Sequence, residues 1–285
     1  MSFLVHLITV TGILLPTVVG YNLVFGKGKI FHFGQIGLQI LAAYPLWISI
    51  VLFDQHPIIG LLLGLIFAFV AAWLLAWLSF RLDPDGLGVM SIAVHLIALS
   101  IVLNWQSVTR GALGVPGIPR WSLLADNDSF AVFVVLVVSV WCILVWLLDR
   151  SAFGRKLQAL SEYAWYAEAL GISRKNVHIV AFLVAAGGAL LTGILLPPYL
   201  YLLSPTDFAF PAMIFVVMCV VAGKPGSMGG AILATALLMV LKEGLRLLPL
   251  SPGVVGPIRL LLFGLILLCA VWYRRDALFP PQREV

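Results

Sequence analysis

The chain has 285 residues, of which 62% are apolar and only 10% charged, with a formal net charge of +5. Soluble domains carry charge on roughly a quarter of their residues, so this composition excludes a water-soluble globular protein. Apolar runs of about 20 residues, each enough to cross a ~30 Å hydrocarbon core as a helix, recur without the apolar–polar alternation of barrel strands.

In chain order the runs fall at 3–25, 34–53, 58–80, 87–104, 130–148, 177–203, 210–222, 231–247 and 258–273. The expected fold is therefore all-α: a polytopic transmembrane helical bundle of about nine spans, some of them broken, with one further helix on the cytoplasmic surface. No basic residue precedes the first run, which reads as a retained span and not as a signal peptide. Residues 1–285 form one transmembrane domain, because no polar segment approaches the ~50 residues that a soluble domain needs. The longest loop, 105–129, holds Gly111, Gly114, Pro116, Gly117 and Pro119 and should be turn-rich.

Orientation follows from the basic residues. The stretch 150–175 holds Arg150, Arg155, Lys156, Arg174 and Lys175, and the positive-inside rule places it in the cytoplasm. The N-terminus and the loop 105–129 then lie outside, and the C-terminus lies inside. Arg110, Arg120, Lys242, Arg246 and Arg259 fall outside and the other twelve of seventeen Lys and Arg inside. Basic residues dispersed in this way mark topology and give no footprint for nucleic acid. Cys142, Cys219 and Cys269 are scattered in apolar runs and suggest neither a disulfide nor a metal site.

Within the cytoplasmic loop 149–176, Leu157, Leu160, Ala164, Ala167 and Leu170 recur at three and four, which draws an apolar stripe along a helix over 156–170. Glu162, Tyr166 and Glu168 lie opposite, Gly171 supplies a C-terminal signal, and Ser173 can cap the next helix at about Val177. At about 15 residues this helix is too short and polar to span. It either floats its stripe in the headgroups or offers it to a groove in another protein.

Breaks in the spans are expected at three places: 26–34, the sixth run with Gly187, Gly188, Pro197 and Pro198, and 223–230. Asn22, Gln35, Gln39, Ser91, His95, Asn104 and Thr192 are polar within spans. Gln35 and Gln39 share a helical face, as do Ser91 and His95. Each should hydrogen-bond to a neighbouring helix, with Asn22, Gln35, Gln39 and His95 also candidates to line a solute path. Glu243 and Arg246 suggest a structural ion pair. No carboxylate sits in mid-span, which argues against a proton-driven carrier. Gly223 and Lys224 lack the rest of a P-loop, and no catalytic cluster or metal motif occurs, so an enzyme reading finds no support and ATP must be handled by another chain.

The segment GRKLQALSEYAWYAEALGI, 154–172, resembles the cytoplasmic coupling segment of the branched-chain amino-acid ABC transporter permeases, written roughly GRALRAIREDEIAAEALGI. Gly154, Arg155, Leu157, Ala159, Glu162, Ala167, Glu168, Ala169, Leu170, Gly171 and Ile172 agree without a gap. Residues 22–44 resemble the family's NLLLGYAGQLSLGHAAFFGIGAY, with Asn22, Leu23, Gly26, Gly34, Ala43 and Tyr44 in register, and GVPGIP at 114–119 resembles its GLxGIP loop. The likeness is to the LivM-like subunit, of which this chain would be a divergent member. The family's REDE is replaced by Ser161, Glu162, Tyr163 and Ala164, and its GGxGSxxGP loop by the sequence from Gly223 to Gly229.

The resemblance implies a permease subunit of an ABC importer in a bacterial inner membrane, translocating a branched-chain or related amino acid. Its partners would be a second permease, two cytoplasmic ATPases and a periplasmic substrate-binding protein, with ATP bound by the partners and no cofactor of its own. Arg155, Leu157, Glu162, Ala167, Glu168, Leu170 and Gly171 would couple it to the ATPase. The alternative is a secondary carrier or channel for a small neutral solute such as urea or an amide.

Overall fold

A computed structural model describes residues 2–245 and 252–278. Helix α1 (Phe3–Tyr21), capped by the Ser2 hydroxyl, continues into a π-helical turn (Asn22–Lys27). Residues 28–34 are neither helix nor strand, with Lys29 in the left-handed region (φ 49°), and lead into α2 (Gln35–Val51). Helices α3 (Pro57–Ser79) and α4 (Pro84–Asn104) each begin on a proline, whose missing N–H is no loss at a first helical position.

The loop that follows carries a helical turn, α5 (Gln106–Thr109), and strand β1 (Val115–Pro116). After α6 (Asn127–Arg150), capped by Asp126, come α7 (Ala152–Glu162), α8 (Ala164–Ala169) and the long α9 (Arg174–Leu200). Strand β2 (Leu202–Leu203) pairs antiparallel with β1, Val115 opposite Leu203. A 3₁₀ turn (Pro205–Phe208) then opens α10 (Phe210–Ala222), followed by α11 (Met228–Gly244) and α12 (Pro252–Leu278).

Among the described residues six helical stretches are long and apolar enough to cross a membrane: α1 with its π turn, α3, α4, α6, α9 and Gly256–Tyr273 within α12. Helices α2 and α10 are apolar but shorter. The chain is thus an all-α integral membrane protein. Bulky apolar side chains of α3, α4, α6 and α12 face outward, such as Val70, Val89, Leu136 and Leu268.

Lipid gives apolar side chains no reason to prefer a neighbouring helix, so close contact depends on small residues. Ala181, Ala185, Ala186, Gly188, Ala189 and Gly193 give α9 such a surface, all of them buried. A methyl group on Gly188 would collide with the Pro16 carbonyl of α1, and one on Gly193 would press on Ala43 of α2. Pro16 takes a donor out of the α1 ladder, and neighbouring polar groups attend to that stretch. Thr192 Oγ1 donates to the Ile13 carbonyl at 2.8 Å, and Trp141 Nε1 to the Pro16 carbonyl at 3.3 Å.

The two ends of the bundle are distinct. At one, Lys27 after α1 meets Asp149 near the end of α6, while Arg174 at the start of α9 reaches the Ser79 carbonyl ending α3. At the other, His6 of α1 bonds to Tyr199 of α9 at 2.6 Å and faces Glu243 of α11. Arg246, expected to pair with Glu243, lies outside the described residues.

The breaks fall differently from expectation. The first, after Gly26, is present. Helix α9 runs unbroken through its glycines, which serve packing, and its two prolines stand in the last turn. Residues 223–227 form the turn between α10 and α11. The second real break is 201–209: Tyr201 adopts a left-handed conformation (φ 56°) and ends α9, although apolar Leu202 and Leu203 prolong the hydrophobic run.

Candidate functional site

The polar segment is two helices and not one. Helix α7 stops at Tyr163, an extended residue (φ −147°, ψ 83°), and α8 resumes at Ala164. In its last turn the Ser161 hydroxyl donates back to the Gln158 carbonyl at 2.8 Å and Gln158 donates to Glu162 at 2.9 Å. Such local bonds compete with helix continuation. The end of α8 is as expected: Gly171 has φ +83°, Ile172 N–H donates to the Ala167 carbonyl and Gly171 N–H to that of Glu168. That is the paired pattern of a glycine-terminated helix. Ser173 caps α9, which begins at Arg174.

The apolar stripe is turned inward. Leu157, Leu160 and Ala167 are buried against the chain's own bundle, with Leu157 Cδ1 standing over Gly28. Leu170, expected on the same stripe, is 83% exposed, because the break at Tyr163 puts α8 out of register with α7. The outward surface is instead aromatic and charged. Trp165 is 74% exposed, and its ring lies 5.1 Å from that of Tyr166, which in turn stands 6.1 Å from Tyr163. Arg155, Glu162, Glu168 and Gly171 are exposed around them. An open cleft of about 490 Å³, lined by Phe80, Glu168, Gly171, Ile172, Ser173, Arg174 and Lys175, adjoins this surface.

The four candidate path residues are all buried, but they do not converge on one site. Asn22 Oδ1 accepts from the Gly226 N–H at 3.0 Å. Gln35 Nε2 donates to the Ala185 carbonyl at 3.0 Å, while its Oε1 is without a hydrogen-bond partner. Gln39 continues the same face of α2, which meets α9. His95 Nε2 is 2.8 Å from the Phe208 carbonyl. A carbonyl only accepts, so Nε2 carries the proton, which leaves Nδ1 as the acceptor nitrogen; it is buried without a partner.

One pair is brought together. Ser91 Oγ accepts from the Phe33 N–H at 2.8 Å, and His95, one turn further along α4, holds the Phe208 carbonyl. Ser91 and His95 therefore meet the two connecting segments, 28–34 and 201–209, from a single helical face. The residues that composition and spacing did not single out are Lys27 with Asp149, Tyr44, whose buried hydroxyl has no hydrogen-bond partner, and Asp207. Lys27 and Asp149 are 122 residues apart, and no local pattern announces so distant a pairing. Among the described residues no group of three or more His, Cys, Asp or Glu is placed to hold a metal ion.

Comparison with known proteins matches residues 3–271 to the family described as the branched-chain amino acid transport system permease component. The high-affinity branched-chain amino acid transport system permease protein LivM of Escherichia coli K12 is 28% identical over 311 residues, covering 98% of this chain and 70% of that protein. LivM of Salmonella typhimurium LT2 is 28% identical over 314 residues with the same coverage. No solved structure matches.

Proposed function

Because the chain belongs to the branched-chain amino acid transport system permease family, we propose that it is a LivM-like membrane subunit of an ABC importer. It carries a branched-chain or related amino acid across a bacterial inner membrane while separate subunits hydrolyse ATP. A second permease completes the path and a periplasmic binding protein delivers the solute. The chain crosses nine times, with its N-terminus outside. Helix α2, about 25 Å long, and α10, about 20 Å, complete their crossings with the segments that precede them, 28–34 and 201–209.

The observation that carries this reading is the two-sided cytoplasmic segment. Its inner side, Leu157, Leu160 and Ala167, is buried on the bundle, while Trp165, Tyr166 and Leu170 stand in solvent beside Glu162 and Glu168. Exposed aromatic rings ringed by charge fit the docking surface of a partner. The coupling residues thus divide by role. Leu157 and Ala167 fix the segment to the bundle, and Arg155, Glu162, Glu168, Leu170 and Gly171 border the ATPase.

The test replaces Trp165 with glutamate and follows ATPase co-purification together with solute uptake. Loss of both, with the permease still folded and membrane-inserted, is the expected result. Retention of both removes the docking reading. Uptake by proteoliposomes that contain no ATPase assigns the chain instead to the secondary carriers.

A further inference from the structure

The π-helical turn Asn22–Lys27 is the meeting point of three parts of the molecule. Above it, Asn22 Oδ1 accepts the Gly226 N–H, and Gly26 lies so close that a methyl group there would run into both Asn22 Oδ1 and the Gly226 nitrogen. Gly226 belongs to the turn joining α10 to α11. Beside it, Lys27 Nζ pairs with the Asp149 carboxylate and donates to the Asp149 carbonyl at 3.0 Å. Asp149 stands two residues before Ser151, the cap of α7. Below it, Leu157 of α7 rests on Gly28. The Lys27 and Asp149 side chains are only 15% and 24% exposed, so this pair is far less screened than a surface ion pair.

A push on α7 is therefore delivered to Lys27 and Gly28, and Asn22 passes it to Gly226. The π turn supplies the second state that such a relay needs. π turns are frequent at functional sites; this one ends α1 just before the non-helical residues 28–34, and a π turn holds about one residue more than an α turn. Its return to α geometry rotates the chain beyond it by roughly 100° and withdraws Gly26 and Lys27 from their partners.

We propose that this joint transmits movement of the coupling segment to the α10–α11 turn. In that role Asn22 and Lys27 are positioning residues, and neither contacts the solute. The proposal rests on the reading of α7 and α8 as the ATPase's docking segment. It moves Asn22 from the solute path to the relay.

The experiment uses the complete transporter in proteoliposomes, with ATP hydrolysis and uptake of a branched-chain amino acid measured on the same preparation. With Asn22→Ala the ATPase still co-purifies and hydrolyses ATP, but uptake per ATP falls by roughly 5- to 150-fold, the range of an ordinary coupling free energy. Asn22→Asp keeps an acceptor for the Gly226 N–H and recovers most of the ratio. Lys27→Asp and Asp149→Lys each lower the ratio, and the two together restore it. An unchanged ratio in Asn22→Ala, whether activity is full or hydrolysis and uptake fall in step, overturns the proposal and leaves Asn22 a residue that only holds the fold. A wild-type chain that recruits no ATPase removes the docking reading beneath it, whatever the variants do.

Discussion

The segments 28–34 and 201–209 solve one problem by different means. Each carries the chain into the bundle with no more than a short turn of helix and leads to a short helix there, α2 in one case and α10 in the other. Backbone groups at such depth must find partners within the protein. The first segment is held by side chains of helices: Tyr21 donates its hydroxyl to the His32 carbonyl at 2.6 Å, Ser91 takes the Phe33 N–H, and the Phe31 and Phe33 rings pack on Phe25. The second is held largely by backbone, through the β1–β2 pairing and a 3.1 Å bond from Gly117 N–H to the Tyr201 carbonyl, with His95 added at Phe208. The first is thereby tied to α1 and α4, and the second to the loop between α4 and α6. The two meet on α4, whose Ser91 and His95 each hold one of them.

The strongest challenge to this comparison is the pair Ser91→Ala and His95→Leu. Each leaves a buried backbone group without its partner, a loss of about 1–3 kcal/mol. If the two segments are held independently the double variant loses the sum, read as the fall in thermal unfolding temperature of the solubilised protein. Hydrogen exchange distinguishes the sites: Ser91→Ala quickens exchange around Phe33 alone, and His95→Leu quickens it in 205–209 alone. Spread of either effect to the other segment shows that α4 couples them.

Arg120→Ala weakens the second segment only. Its guanidinium donates to the Pro198 and Tyr199 carbonyls at 2.7 and 3.0 Å and to Asn127 Oδ1 at 2.9 Å, and it lies over the Phe130 and Tyr201 rings. These bonds are part-buried and screened by solvent, so the set together is expected to contribute about 1.5–3 kcal/mol, the worth of one buried bond to a charged group, below the double variant's sum. Arg120→Lys recovers little of it, because an ammonium cannot present the planar fork that spans two carbonyls. The first segment keeps its exchange protection in both variants.

Much of this architecture is legible in residue types. Apolar length marks the long helices, Gly171 marks the end of α8, and the four-residue spacing of Ser91 and His95 places them on one face. The partners of that face are not legible, since Phe33 and Phe208 offer backbone groups that carry no side-chain signature. The break at 201–209 is hidden for a related reason: Leu202 and Leu203 are as apolar as a span, and only the left-handed Tyr201 and the pairing with Val115 reveal strand. The stripe of α7 and α8 is legible as a stripe but not in direction. Periodicity shows that Leu157 and Ala167 share a side, and packing on Gly28 decides that this side faces the bundle.

Tyr21→Phe gives the smallest expected effect and the finest test of how the first segment is held. The Tyr21 ring is fully buried, 5.1 Å from Phe25 and edge-on to His32 at 5.0 Å. Phenylalanine keeps those contacts and removes only the hydroxyl. The His32 carbonyl then loses its donor, while the Phe33 N–H beside it stays on Ser91, so the segment keeps its path. A loss at the lower end of the range of about 1–3 kcal/mol for a buried group left without its partner follows, because a carbonyl without its donor is better tolerated than an orphaned N–H, with faster exchange near His32 and no change at 201–209. A loss matching the double variant instead makes the hydroxyl the principal fastening of the first segment. The even division of work between the two faces of that segment, Tyr21 on one side and Ser91 on the other, then fails.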